Sequence, residues 1–130
     1  MSCQSCGGET VALLVPGDLR DYLPGTAPAV AICRDCLAME PSDEAPDTVP
    51  DLSAIDDAFP QNPDAALPLA LLVGLLDSLA LHRAEITALL ERVERAGTDP
   101  LLVVDRLADS YGDDAHVDLA ARRQQLEQLL

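Results

Sequence analysis

Four cysteines in two pairs are the residues of this chain whose type and spacing predict chemistry. Cys3 and Cys6 stand in "MSCQSCGG", and Cys33 and Cys36 stand in "AICRDC". Two residues separate the members of each pair, so each pair can hold one metal ion through a tight turn, which we call a knuckle. Two knuckles complete a tetrahedral site of four thiolates. The spacing therefore predicts one Zn²⁺ bound by Cys3, Cys6, Cys33 and Cys36.

The predicted zinc ion is structural, because four thiolates leave no position open for water or substrate. Gly7 follows Cys6 and lets the chain turn sharply, which aims backbone N–H groups at the sulfurs. Leu37 follows Cys36 where a glycine would be more favourable. Residues 1–40 contain few large apolar side chains, so we expect this unit to depend on the metal for folding.

Two disulfides, a redox-active Cys-x-x-Cys motif and an iron–sulfur cluster are the alternatives for these cysteines. Disulfides persist in oxidising compartments, whereas "MSCQSC" has neither the basic nor the apolar region of a signal peptide. We therefore expect a cytoplasmic protein with reduced thiols. Thioredoxin-like motifs belong to a larger α/β unit, which is not predicted here.

A β-hairpin is predicted to bring the two knuckles together. Its strands are the apolar segments "ETVALLVP" (9–16) and "PAVAIC" (28–33), both bounded by glycine or proline. A hairpin that leaves Cys6 and returns to Cys33 delivers both knuckles to one end. Within the hairpin, "GDLRDYLPG" predicts a single helical turn capped by Asp18 and closed by Pro24–Gly25. A third short strand is predicted for "LAMEP" (37–41).

The remaining sequence predicts helices, which makes the fold class α+β. Residues 41–61 are interpreted as an acidic, proline-containing linker that includes a short helix begun by Asp51. Residues 62–130 are interpreted as a helical domain of about four helices. The helix that begins at Asn62–Pro63 is apolar almost all round, which indicates a central buried element. Whether 64–96 forms one helix or two is left open by the pattern.

The apolar run "AALPLALLVGLLDSLAL" (65–81) is too short for a good membrane span and contains Pro68 and Asp77. A buried core helix is the better interpretation. We expect Asp77 to form an ion pair in the core or at a dimer interface, with Arg83 or Arg106. The "DDAH" segment (113–116) is interpreted as a polar loop between helices.

The net charge of −15 indicates an adaptation to concentrated salt. All eight basic residues are arginine, and the acidic residues are spread along the whole chain. Such a surface would repel itself in dilute buffer but is screened in molar salt, where the Debye length is about 3 Å. Net charge therefore does not argue against nucleic-acid binding in such a cell.

Enzyme activity is not expected, because no phosphate-binding loop, nucleophile elbow or paired cysteine and histidine is present. Three functions stay under consideration. The first is an adaptor that docks an unidentified protein partner, with transcription or translation as candidate settings. The second is a nucleic-acid-binding ribbon that uses Arg20 and Arg34 near the knuckles. The third is a thiol redox or metal-handling protein. A homodimer through the helical domain is also considered, and no membrane association is expected.

Several segments together resemble a family of small haloarchaeal zinc-finger proteins of uncharacterised function. The resemblance covers essentially the whole chain and rests on "MSCQSCGG", "DLRDYLPG", "DEAPD", "LSAIDDAFP", "LALLVGLLDSLALHRAEI", "LLERVERAGTDPLL" and "RRQQLEQLL". It implies a salt-adapted cytoplasm and a metal-bearing N-terminal ribbon with the four cysteines as ligands. It implies no activity. The first knuckle lacks the proline that many ribbons carry after the first cysteine, which does not change ligation.

Overall fold

A computed structural model describes residues 2–23, 27–44, 46 and 52–130 of the chain. An antiparallel sheet of three strands comes first and helices follow, so the predicted α+β class is confirmed. The turn predicted at Pro24–Gly25 and the helix cap predicted at Asp51 lie outside the described residues.

The sheet has the order β1-β2-β3, with β1 at Thr10–Leu14, β2 at Ala29–Cys33 and β3 at Met39–Ser42. Apolar, β-branched segments form strands here because their side chains pack well on a pleated, half-buried surface. The register places Thr10 opposite Cys33 and Leu14 opposite Ala29. The end of the hairpin that carries Cys33 is therefore the end from which the chain leads back to the first knuckle.

The described residues form five helices: α1 (Gly17–Arg20), α2 (Pro63–Leu75), α3 (Arg83–Arg95), α4 (Pro100–Tyr111) and α5 (Leu119–Glu127). Short 3-10 segments lie at Leu52–Ala54, Leu76–Ser78 and Gly112–Asp114. Two helix starts follow from local side-chain chemistry. Asn62 accepts a hydrogen bond from the backbone of Asp64, and Asp99 accepts hydrogen bonds from Leu101 and Leu102.

Helix α2 is the central buried element that its sequence predicts, because every residue from Ala65 to Leu75 is buried. A 3-10 segment and a turn separate α2 from α3, so residues 64–96 form two helices. Within the described part of the chain, no helix combines the length and the apolar character that crossing a membrane requires.

The sheet and the helices share one hydrophobic core. Leu13 and Ile32 of the sheet and Leu37 of the second knuckle belong to the same buried cluster as the apolar side chains of α2 to α5. Leu52, Ile55 and Phe59, from the segment between sheet and helices, also belong to it. The boundaries predicted at 40 and 61 stay predictions.

Asp77 is exposed, so the expected ion pair of this residue in the core is wrong. The ion pairs of the described residues include neither Asp77 nor Arg83 nor Arg106. The physical reason is that α2 ends at Leu75, so Asp77 lies in the following 3-10 segment, beyond the buried part of the helix. An ion pair across a dimer interface stays a prediction.

Asp18 does not cap α1, because Pro16 stands at the cap position and Asp18 lies within the first helical turn. Its carboxylate instead accepts a hydrogen bond of 2.6 Å from Nη2 of Arg92 in α3. This bond from the guanidinium lowers the pKa of Asp18 below its usual value. The pair links the excursion inside the hairpin to the helices.

Helix α2 crosses β3 in a close approach at Gly74, which predicts an unusual response to alanine. A Cβ atom at Gly74 would lie 2.5 Å from Cβ of Met39. Gly→Ala inside a helix ordinarily stabilises by about 1 kcal/mol. Here we expect Gly74→Ala to lower the free energy of unfolding by about 1–3 kcal/mol, because helix and strand must separate.

Gly17→Ala is the matched control for this measurement, because a Cβ atom at Gly17 meets no atom within 4 Å. Denaturant unfolding of both variants gives the comparison. A Gly74→Ala variant as stable as the wild type would show that the strand can move away without cost.

Candidate metal centre

The two knuckles are built by the same backbone hydrogen bonds. The N–H of Gly7 donates to the C=O of Cys3 at 2.8 Å, and the N–H of Leu37 donates to the C=O of Cys33 at 2.9 Å. A second bond closes each turn, from Cys3 N–H to Gly8 C=O at 2.7 Å and from Cys33 N–H to Ala38 C=O at 2.9 Å. The knuckles at 3–8 and 33–38 are therefore two copies of one turn.

The residue after the second cysteine of each knuckle has a left-handed backbone. Its φ angle is 77° at Gly7 and 68° at Leu37. Glycine adopts this conformation freely, whereas another residue is strained by about 1–2 kcal/mol. The Leu37 side chain is fully buried in the shared core, and this burial offsets the strain. The second knuckle thus uses a leucine at a position where backbone geometry favours glycine.

The hairpin brings the four sequence-predicted ligands together, with their Sγ atoms all within 4.8 Å of one another. The Sγ atoms of Cys3 and Cys36 are 3.7 Å apart, and those of Cys6 and Cys33 are 3.4 Å apart. A tetrahedral site with Zn–S bonds of about 2.3 Å has sulfurs about 3.8 Å apart. The cluster therefore has the donor set and the size for a metal ion held by four cysteines.

Backbone N–H groups point at the sulfurs. Ser5 donates to Cys3 Sγ at 3.4 Å, Gly8 to Cys6 Sγ at 3.4 Å and Asp35 to Cys33 Sγ at 3.3 Å. Such donors stabilise thiolates and fix the orientation of the ligands around a metal. Both the backbone N–H donors and the distances between the sulfurs therefore fit four metal-bound thiolates.

The pKa values of the thiols respond to burial and to these donors in opposite directions. Burial raises the pKa of Cys3, but backbone donors from Cys6 and Ser5, with the neighbouring Cys36 and Cys33 side chains, lower it to about 7. Burial raises the pKa of Cys33 and of Cys36. A divalent cation would favour the thiolate form of all four, because ligation removes the proton.

His116 ties the second knuckle to the helices, a role that the sequence interpretation missed. Its backbone N–H donates to the C=O of Cys36 at 2.8 Å, and its Nε2 lies 3.2 Å from the C=O of Val73 in α2. Burial lowers the pKa of His116, and the negative charge of Asp77 opposes that shift. The only sequence signal was the position of this histidine in a loop between helices, which cannot reveal a contact across the fold.

Arg20 and Arg34 lie at opposite ends of the hairpin, so the expectation that both are near the knuckles is wrong for Arg20. Arg34 stands inside the second knuckle, whereas Arg20 lies in α1, beyond the far end of β1. The five residues of β1 between these ends span about 14–17 Å. Arg20 Nε donates to the C=O of Val15 at 3.1 Å.

The surface of the knuckles is anionic. The Arg34 guanidinium pairs with the Glu9 carboxylate at 3.4 Å. Glu40 accepts a hydrogen bond of 2.9 Å from the backbone of Gln4, and Asp35 is exposed between Cys33 and Cys36. The knuckle region thus carries three carboxylates and one guanidinium, which is already paired. This arrangement disfavours contact with a phosphate backbone.

A family model described as "Family of unknown function (DUF6276)" matches residues 2–130. Neither the curated proteins nor the proteins of solved structure include a significant match.

Proposed function

Because the chain belongs to the DUF6276 family, whose description assigns no activity, we propose a function from the site itself: Cys3, Cys6, Cys33 and Cys36 hold one structural Zn²⁺. The observation that carries this proposal is the cluster of four sulfurs within 4.8 Å, presented by two matching knuckles. A bound zinc ion would cross-link the two knuckles, and its four cysteine ligands would lose their thiol protons.

The proposed ion stabilises more than the ribbon. Leu37, directly after Cys36, is packed in the shared core, and His116 holds the carbonyl of Cys36. Fixing the second knuckle therefore also fixes the place where the sheet meets the helices. Four cysteine ligands leave no position for substrate, which supports a non-enzymatic role.

We propose that the protein is a zinc-ribbon adaptor of a salt-adapted cytoplasm, in which the outer surface of the knuckles binds a protein partner. The support is an anionic face formed by the exposed carboxylates of Glu9 and Asp35 together with the half-buried Glu40. Such a face fits a partner with a basic surface. Transcription and translation are the candidate settings.

The other two functions have less support. For nucleic-acid binding, Arg34 is paired with Glu9, and Arg20 lies at the far end of the hairpin. For thiol redox chemistry, Cys3, Cys33 and Cys36 are buried, and Cys6 is the exposed member of the cluster. A reactive thiol needs exposure as well as a lowered pKa.

Affinity capture from a lysate at native salt tests the adaptor proposal. The bait is compared with a Glu9→Gln/Asp35→Asn variant, which neutralises two carboxylates of the knuckle face. The control is Asp113→Asn/Asp114→Asn, which removes the same charge from an exposed segment elsewhere. We expect a partner protein to be retained by the wild type and the control and lost from the knuckle variant. Retention by all three baits, or capture of nucleic acid alone, would contradict the proposal.

A further inference from the structure

A cavity of about 190 Å³ lies between the sheet and the C-terminal end of α2, separate from the cysteine cluster. Its wall is mostly apolar and includes the side chains of Leu23, Val30, Met39 and Leu75. Gly74 also lines it, beside Met39. A concave, largely apolar space with a few polar groups is the usual form of a small-molecule site.

Two opposite charges line this cavity without neutralising each other. They are Arg20 of α1 and Asp77 of the segment after α2, and both are exposed. Neither is among the ion pairs of the described residues. Arg20 uses Nε for the carbonyl of Val15, which leaves its two terminal nitrogens for another acceptor. Ser78 and His82 add further polar groups to the lining.

We propose that the cavity binds a free aliphatic α-amino acid of about the size of leucine. The terminal nitrogens of Arg20 bind the carboxylate, Asp77 receives the ammonium group, and the apolar wall takes the side chain. A guanidinium suits a carboxylate because it can donate two parallel hydrogen bonds. A purely apolar ligand would leave both charges unused, and an anion would leave Asp77 facing a like charge.

This inference does not depend on the proposed adaptor role. Arg20 lies at the end of the hairpin away from the cysteines, and none of the four cysteines lines the cavity. The ligand inference can therefore fail while the partner proposal stands, and the partner proposal can fail while the ligand inference stands.

Isothermal titration calorimetry on the full chain, at low and at molar salt, tests the inference with L-leucine and three fragments of it. The fragments are 4-methylpentanoate, which lacks the ammonium group, 3-methylbutylamine, which lacks the carboxylate, and glycine, which lacks the side chain. We expect leucine to bind at least about tenfold more tightly than each fragment at low salt, because each fragment loses one contact.

Two variants assign the contacts. Arg20→Gln is expected to weaken leucine binding about tenfold without weakening 3-methylbutylamine binding, whereas Asp77→Asn weakens leucine binding without weakening 4-methylpentanoate binding. Arg83→Gln and Asp64→Asn, at exposed positions outside the cavity, are the charge-matched controls. Asp77 makes no ion pair among the described residues, so Asp77→Asn keeps the test decisive if Arg20→Gln fails to fold. The inference is overturned if leucine does not bind saturably, if a fragment binds as tightly as leucine, or if Asp77→Asn has no effect.

Discussion

Chelation of the proposed zinc ion is expected to unfold the helices together with the sheet in one transition. Structural zinc in small domains contributes an apparent 10–16 kcal/mol, which is comparable with the whole stability of a domain, about 5–15 kcal/mol. Because Leu13, Ile32 and Leu37 share one core with the helices, loss of the knuckles exposes apolar surface on both sides. Far-UV circular dichroism recorded during chelation, with zinc release followed by a dye, measures this effect.

Variants of the knuckles separate loss of zinc from other effects of the chelator. Cys36→Ser is expected to behave like the chelated protein, with less than one zinc per chain and a large loss of helical signal. Ser5→Ala is the matched control, because the contact of Ser5 with Cys3 Sγ is made by its backbone N–H, which alanine retains. Full helical signal after complete metal loss would instead show that residues 62–130 fold independently, as the predicted boundaries imply.

At Leu37, a glycine variant is expected to be at least as stable as an alanine variant, whereas glycine is usually the less stable of the two. Leu37→Ala should cost about 3–5 kcal/mol, because it removes a fully buried side chain and keeps the left-handed strain. Leu37→Gly loses the same burial but recovers about 1–2 kcal/mol of backbone strain. Part of that gain is offset by about 0.5–1 kcal/mol from the greater freedom of glycine in the unfolded chain. We therefore expect the glycine variant to be at least as stable as the alanine variant.

Leu89 of α3 provides the matched control, since it is equally buried but helical. There we expect Leu89→Gly to be less stable than Leu89→Ala by about 1 kcal/mol, the ordinary helix preference. Denaturant unfolding of the four variants gives the two differences. The same order at both positions would mean that the left-handed conformation of Leu37 carries no strain.

Sequence patterns predicted those parts of the fold that depend on neighbouring residues. The spacing of Cys33 and Cys36 specifies a metal-binding turn, and apolar β-branched residues specify the strands on either side. Asn62 starts a helix through a bond to the backbone group two residues away. These features are visible in a sequence because their partners are close along the chain.

The parts that escaped prediction depend on contacts between distant segments. Asp18 has the sequence signature of a helix cap, but Arg92 reaches it from α3. His116 bonds to Cys36 although 79 residues separate the two positions. The acidic composition of 41–50 indicates a linker, and composition carries no information on whether the parts it joins share a core. Only the three-dimensional arrangement reveals such contacts.

The buried Leu37 beside a metal ligand has a consequence for the lifetime of the protein in the cell. Zinc binding and folding share a coupling free energy: the free energy by which bound zinc stabilises the fold equals the free energy by which the folded core strengthens zinc binding. When zinc is scarce, a chain without the proposed ion would unfold, expose its core leucines and become a substrate for proteases. We therefore expect its cellular abundance to follow zinc supply without any change in its synthesis.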